Sequence, residues 1–285
     1  MFTRANPLAA AALGAIALLI APSGSASAQA APRLQLYTLD CGRLELEDMG
    51  MFSDTGEHAG EPGVMAVPCY LIRHGENWLL WDTGLGDGLA ALPEGKTQFG
   101  GRWTVRRTLV SQLAELGLRP GDIDYVALSH LHADHSGNIG LFPTATWLLP
   151  AEELDWGGAS PAPLGVDAGL AAQIPRDRVR PAQGDLDVFG DGQVMILRAP
   201  GHTPGHRILL VRLSTAGPVL LSGDLFHTRE NYERSLVPAV NVSRADTLAS
   251  INRFAGLAAH LHARVVIQHA PEDFAAMPVF PAALD

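Results

Sequence analysis

Between residues 130 and 135 the chain reads His-Leu-His-Ala-Asp-His, three imidazoles and a carboxylate within six positions. Residues two apart on a helix face different ways. His130 and His132 therefore converge on one point only if their segment is extended or looped, and alternation then carries Asp134 to the same side. The apolar run DYVAL (124–128) comes just before, so the cluster sits on a loop at the C-terminal end of a strand. Imidazole nitrogens with a carboxylate are what a zinc-like divalent cation selects, and a catalytic site keeps one position open for water. Three more donors arrive in the same context of apolar strand and polar tip. His202 follows QVMILRAPG, Asp224 follows PVLLSG and His269 follows ARVVIQ. Seven donors are too many for one tetrahedral ion and suit two ions that share a carboxylate.

These residues, H-x-H-x-D-H at 130–135, Gly201-His202, Gly223-Asp224 and His269, resemble the metallo-β-lactamase superfamily, as does Asp82-Thr83-Gly84. The resemblance covers nearly all of the chain beyond residue 30. It implies an α/β fold, an αββα sandwich with a dinuclear metal site at one edge. By that resemblance one ion takes His130, His132 and His202, the other takes Asp134, His135 and His269, and Asp224 bridges them. Within the superfamily, VPCYLIRHGENWLLWDTG, HLHADHSGN, APGHTPGH and SGDLFHTRENYE are most similar to the N-acyl homoserine lactonase branch. Asp224 argues against the zinc β-lactamases, whose equivalent position is usually not a bridging aspartate. One departure stands out: lactonases of this type commonly carry a tyrosine three residues past the bridging aspartate, where this chain has His227, and the nearest tyrosine is Tyr232.

The chemistry implied is lactone opening, with N-acyl homoserine lactones as substrates, by a hydroxide bridging two divalent ions. Zinc is the first expectation, and cobalt, manganese and iron suit the same donors. Asp134 would orient that hydroxide as well as bind metal. His227, if it points inward, could donate to the oxyanion or the leaving oxygen; otherwise it is a supporting histidine. An ester, thioester or phosphotriester hydrolase of the same dinuclear type is the alternative. A β-lactamase, or a metal-bound redox or binding protein, is disfavoured by Asp224 and by the lack of a redox cysteine pair. Asp82 could fix the tautomer of a ligand histidine, and His206 reads as a supporting residue. Met49, Met51, Phe52 and Phe226 are candidates for an acyl pocket.

Around these tips, short β-rich runs alternate with helical patterns, and two helices stand out. Val105, Leu109, Leu113 and Leu116 recur at helical spacing and stop at Gly117; Ser243 can cap a helix striped by Leu248, Ile251 and Phe254. Two stretches without regular pattern, 84–103 and 157–175, read as lids or binding loops.

Length and composition set the remaining bounds. At 285 residues and 47% hydrophobic, the chain can bury one large core, read as a single domain over 31–285. A net charge of −10, without a basic patch, argues against a nucleic-acid partner and leaves a small-molecule lactone or ester. Residues 1–30 read as an export signal: Arg4, an apolar run from Leu8 to Ile20, then SASAQA, with cleavage after Ala28 or Ala30. The run is shorter than a bilayer span, so no membrane anchor is expected after cleavage, and the mature protein is expected to be periplasmic or secreted. Cys41 and Cys69, the two cysteines, either pair there or remain buried thiols.

Overall fold

The computed structural model describes residues 1–3 and 33–285. The expected export signal lies outside the described residues apart from its first three. Two sheets form the centre. The first contains β1 (Leu34–Leu46), β2 (Gly63–His74), β3 (Asn77–Trp81), β4 (Lys96–Gln98), β5 (Gly101–Thr104), β6 (Tyr125–Ala127), β7 (Thr146–Leu149) and β8 (Val179–Pro181), in the order β4-β5-β1-β2-β3-β6-β7-β8. The second contains β9 (Leu186–Asp187), β10 (Val194–Arg198), β11 (Arg207–Leu213), β12 (Gly217–Leu221) and β13 (Arg264–Val266), in the order β13-β12-β11-β10-β9. A last strand, β14 (Ala283–Leu284), returns to pair with β1. The helices are α1 (Leu109–Glu115), α2 (Ala133–Ser136), α3 (Ala151–Gly157), α4 (Ala168–Ala171), α5 (Arg229–Arg234), α6 (Arg244–Leu261) and α7 (Pro271–Ala275). None of the described helices is long and apolar enough to cross a membrane.

The sequence of β11, RILLVRL, explains the layering. A strand covered on both faces reads as a continuous apolar run rather than an alternating one. Leu209 and Val211 pack between the sheets with Ile72, Leu79 and Trp81. Ile208 and Leu210 face the other way, against Ile251 and Phe254 of α6. In the first sheet, Leu71, Leu80 and Val126 pack outward against Leu109 and Leu113 of α1. The result is helix, sheet, sheet, helix, the αββα sandwich expected. Because β10 and β12 each run antiparallel to β11, and β13 runs parallel to β12, the C-terminal ends of β10, β12 and β13 share one edge.

Three local expectations are revised. Helix α1 starts at Leu109, not Val105, because the Thr108 hydroxyl accepts the Ser111 N–H and fixes the first turn there. Residues 84–103 are not patternless: β4 and β5 form a small ribbon that extends the sheet beside β1. The stretch 157–175 contains α4, capped by Asp167, and an isolated bridge between Val166 and His132.

Cys41 and Cys69 are disulfide-bonded, with Cα atoms 5.7 Å apart. The register between β1 and β2 shifts between Asp40 and Arg43, and this bulge brings Cys41 beside Cys69, which pairs with Leu39. The bond closes a loop with a sequence separation of 28. On chain-entropy grounds, Cys69→Ser should lower unfolding stability by about 3–4 kcal/mol. A urea midpoint unchanged from the wild type would contradict that.

Candidate metal centre

Each donor-bearing segment leaves its strand for a reason visible in the chain. After β6, the Ser129 N–H and hydroxyl both donate to the buried Asp82 carboxylate, at 2.6 and 3.0 Å, so the segment turns instead of extending the strand. His132 is the last extended residue before the single turn of α2, which brings Asp134 and His135 into reach of Asp224 and His269. After β12, Gly223 takes a positive φ of 51°, and a Cβ there would lie 2.6 Å from His206 Nε2. That close approach lets His206 Nε2 accept the Asp224 N–H at 2.9 Å while His206 Nδ1 donates to the Ala199 carbonyl. His206 thus sets the backbone of Asp224 and is a support, as expected.

All seven expected donors converge, in two groups that share Asp224. On one side, His132 Nδ1 lies 2.8 Å from His130 Nε2 and 3.0 Å from His202 Nε2, and Asp224 Oδ2 lies 3.6 and 3.5 Å from those Nε2 atoms. On the other, His135 and His269 Nε2 atoms stand 3.1 Å apart, and Asp224 Oδ1 is 3.1 and 3.0 Å from them. Asp134 Oδ2 completes this group at 3.6 and 3.5 Å from the same atoms. Four donors about 2.0 Å from a tetrahedral zinc-like ion stand roughly 3.3 Å apart, the middle of these spacings. Asp224 Oδ1 is buried and makes no hydrogen bond of acceptable geometry, which a carboxylate oxygen tolerates when a cation faces it.

The tautomers suit the same use. His135 Nδ1 donates to Asp82 Oδ2 at 2.9 Å, His130 Nδ1 to Ser129 Oγ at 3.0 Å, and His269 Nδ1 to the Ala66 carbonyl at 2.7 Å. Each leaves an Nε2 lone pair facing inward. Burial pushes His130 and His202 well below the ordinary histidine range, and His132 to about 4, so all three are neutral donors at neutral pH. Burial works against charge on His135 and His269 too, yet Asp224 and Asp134 raise both. Burial would likewise raise Asp224, but His135 and His269 hold it well below the usual carboxylate range. This half of the site is a field that calls for positive charge.

Four of the donors, His132, Asp134, His202 and Asp224, form the floor of a cavity of about 220 Å³ walled by Leu44, Leu46, Met65 and Trp103. His227 lines it as well, 3% exposed, its Nε2 3.2 Å from Asp224 Oδ2 and its ring stacked 5.8 Å from that of His269. Tyr232 instead packs against Phe226 and Phe254 beneath α6, so it offers no donor to the site. Of the acyl-pocket candidates, Met51 and Phe52 line this cavity. Phe226 belongs to the α6 core, and Met49 borders a neighbouring cavity. Both irregular stretches reach the cavity, through Phe99 and through Leu164 and Gly165. His74 lies outside it, paired with Asp191 at 2.7 Å. Sequence reasoning passed over Ser129 and Gln268. Gln268 donates to Asp82 Oδ2 and accepts from Trp81 Nε1; the available signal was that each directly precedes a donor histidine.

The model of the metallo-beta-lactamase superfamily matches residues 62–269. An N-acyl homoserine lactonase, AttM, of Azorhizobium caulinodans is 31% identical over 88% of this chain and 99% of its own length. The chain belongs to the metallo-β-lactamase superfamily. An N-acyl homoserine lactonase of a Bacillus species is 30% identical over 87% of this chain and 97% of its own length, which places the chain on the lactonase branch of that superfamily. A solved N-acyl homoserine lactone hydrolase, with the product N-hexanoyl-L-homoserine bound at its catalytic metal center, superposes with a TM-score of 0.76. It is 27% identical, over 89% of this chain and all of the other.

Asp82 fixes His135 while itself accepting from Ser129 and Gln268. Replacing it with asparagine should weaken metal retention about 10- to 100-fold, measured by competition with a chromophoric chelator. Retention equal to the wild type would remove Asp82 from this role.

Proposed function

We propose that the protein is an exported, metal-dependent hydrolase that opens the ring of N-acyl homoserine lactones. The observation that carries this reading is the pair of donor groups sharing Asp224 at the floor of an apolar cavity. The relatives named above, one of them with an opened lactone at its metal center, support the substrate class. Two divalent ions held by the seven donors, zinc foremost, would supply a hydroxide near neutral pH and polarise the carbonyl. The Cys41–Cys69 bond supports an oxidising compartment, in keeping with the export reading of residues 1–30 and a periplasmic or secreted location.

The reaction adds water across the ring ester: a C–O bond forms at the carbonyl carbon, the ring C–O bond breaks, and the ring oxygen leaves as an alcohol. Asp134, its side chain 15% exposed toward the cavity, accepts a hydrogen bond from the attacking water and orients it. His227 donates through an imidazole N–H to the oxygen that gathers charge, the part a hydroxyl plays where a tyrosine stands three residues past the bridging carboxylate. The acyl chain lies along Leu44, Leu46, Phe52 and Met65. It leaves past Met51, Phe99 and Leu164, large apolar side chains 36%, 49% and 69% exposed. Three such residues gathered at one mouth form an apolar track.

Turnover of acyl homoserine lactones against thioester, organophosphate and nitrocefin panels tests the substrate class; preference for any of the last three would overturn it. His132→Ala and Asp224→Ala should abolish lactone opening, with His74→Ala near wild type; equal losses in all three would signal unfolding instead. His227→Ala and His227→Phe should each lower kcat about 10²-fold with metal content unchanged. Wild-type kcat in both would remove the imidazole from the chemistry. Along the track, each added methylene can gain up to about 0.8 kcal/mol, roughly fourfold in kcat/KM. Leu164→Ser should cost a dodecanoyl lactone more than a butanoyl lactone, and equal losses would take Leu164 off the track.

A further inference from the structure

Glu153, in the first turn of α3, is fully buried and does not line the cavity. Its Oε1 accepts the Leu131 N–H at 2.8 Å; its Oε2 accepts the Thr203 hydroxyl at 2.7 Å and the Gly205 N–H at 2.9 Å. Leu131 lies between His130 and His132, and Thr203 follows His202. A Cβ on Gly205 would come within 2.5 Å of Glu153 Cβ, so glycine is what lets the second loop reach the helix. Burial pushes the Glu153 carboxyl up to about 7 in spite of these donors, so the group is costly to keep. No substrate contact accounts for that cost.

We infer that Glu153 is a positioning residue: its one carboxylate ties the His130–His132 loop of the first sheet to the His202 loop of the second, and so sets the spacing of the three-histidine half of the metal centre. The inference rests on the dinuclear reading above. The other half, built from Asp134, His135 and His269, has its own support in Asp82 and the Ala66 carbonyl, and Glu153 touches neither. Loss of Glu153 should therefore act on one half alone. In Glu153→Gln the volume is kept, but the amide NH2 must face a donor on one of the two loops, so the tie is broken on that side.

The experiment is a cobalt(II) titration, followed by visible absorption, in two backgrounds. His269→Ala keeps the three-histidine half, and His202→Ala keeps the other. Glu153→Gln should weaken cobalt binding about 10- to 100-fold in the first background and leave it unchanged in the second. Equal weakening in both, or none in the first, would overturn the inference and reduce Glu153 to a buried polar group of the core. Should Glu153→Gln fail to fold, Thr203→Val, which removes one donor and keeps the carboxylate, should give the same one-sided pattern at smaller size, and a folded Thr203→Val without it overturns the inference. A wild-type protein that takes up no cobalt would instead overturn the dinuclear reading itself.

Discussion

The Asp224 carboxylate is the constraint on which the site depends. It is 3% exposed, with one oxygen turned to three imidazoles and the other to two more and Asp134. A buried charge of that kind is costly unless it is matched by opposite charge at close range. His135 and His269 supply that match on one side, and the surroundings hold the carboxylate still. Its own N–H is bound by His206, and the glycine before it lets that ring come within reach. A carboxylate so fixed spaces two groups of donors.

The two-sheet architecture delivers those groups. Three strands of the second sheet end at one edge and present His202, Asp224 and His269; β6 of the first sheet ends opposite and presents the 130–135 loop. Sheet-to-sheet packing sets the gap between them, and buried polar groups trim it. Asp82 binds Ser129, His135 and Gln268, while Glu153 binds Leu131, Thr203 and Gly205. In each case one buried carboxylate joins residues of the first-sheet loop to residues that follow strands of the second. The substrate side is walled by Leu44 and Leu46 of β1, Met65 of β2, Trp103 of β5 and the stretch before α4, the last of which is also tied to His132 through the Val166 bridge.

Much of this was legible in the sequence, because each donor carries a local signature. An apolar strand followed by a polar tip can be read from a dozen residues; the αββα layering was implied by the resemblance those tips carry, and strands such as β11, apolar on both faces, account for it physically. What was not legible depends on partners distant in the chain. Glu153 looks like any acidic residue near a helix start, and only the fold shows that it reaches two loops. The disulfide stayed open because a bulge in β1, invisible to periodicity, decides whether Cys41 faces Cys69. Phe226 was misplaced for a related reason: an apolar residue near a tip says nothing about whether it faces the cavity or α6. The β4–β5 ribbon escaped because strands of three and four residues carry too little alternation to be read.

The two donor groups would hold two ions, one on either side of the Asp224 carboxylate. Anomalous diffraction, collected at the absorption edges of the metals found in the purified protein, tests this arrangement most directly. Two peaks of comparable occupancy are expected, one within about 2.3 Å of Asp224 Oδ2 and the three imidazoles, the other within the same distance of Oδ1, His135, His269 and Asp134. A single peak, with Asp224 ligating through one oxygen and the opposite donors hydrogen-bonded to one another, would contradict it.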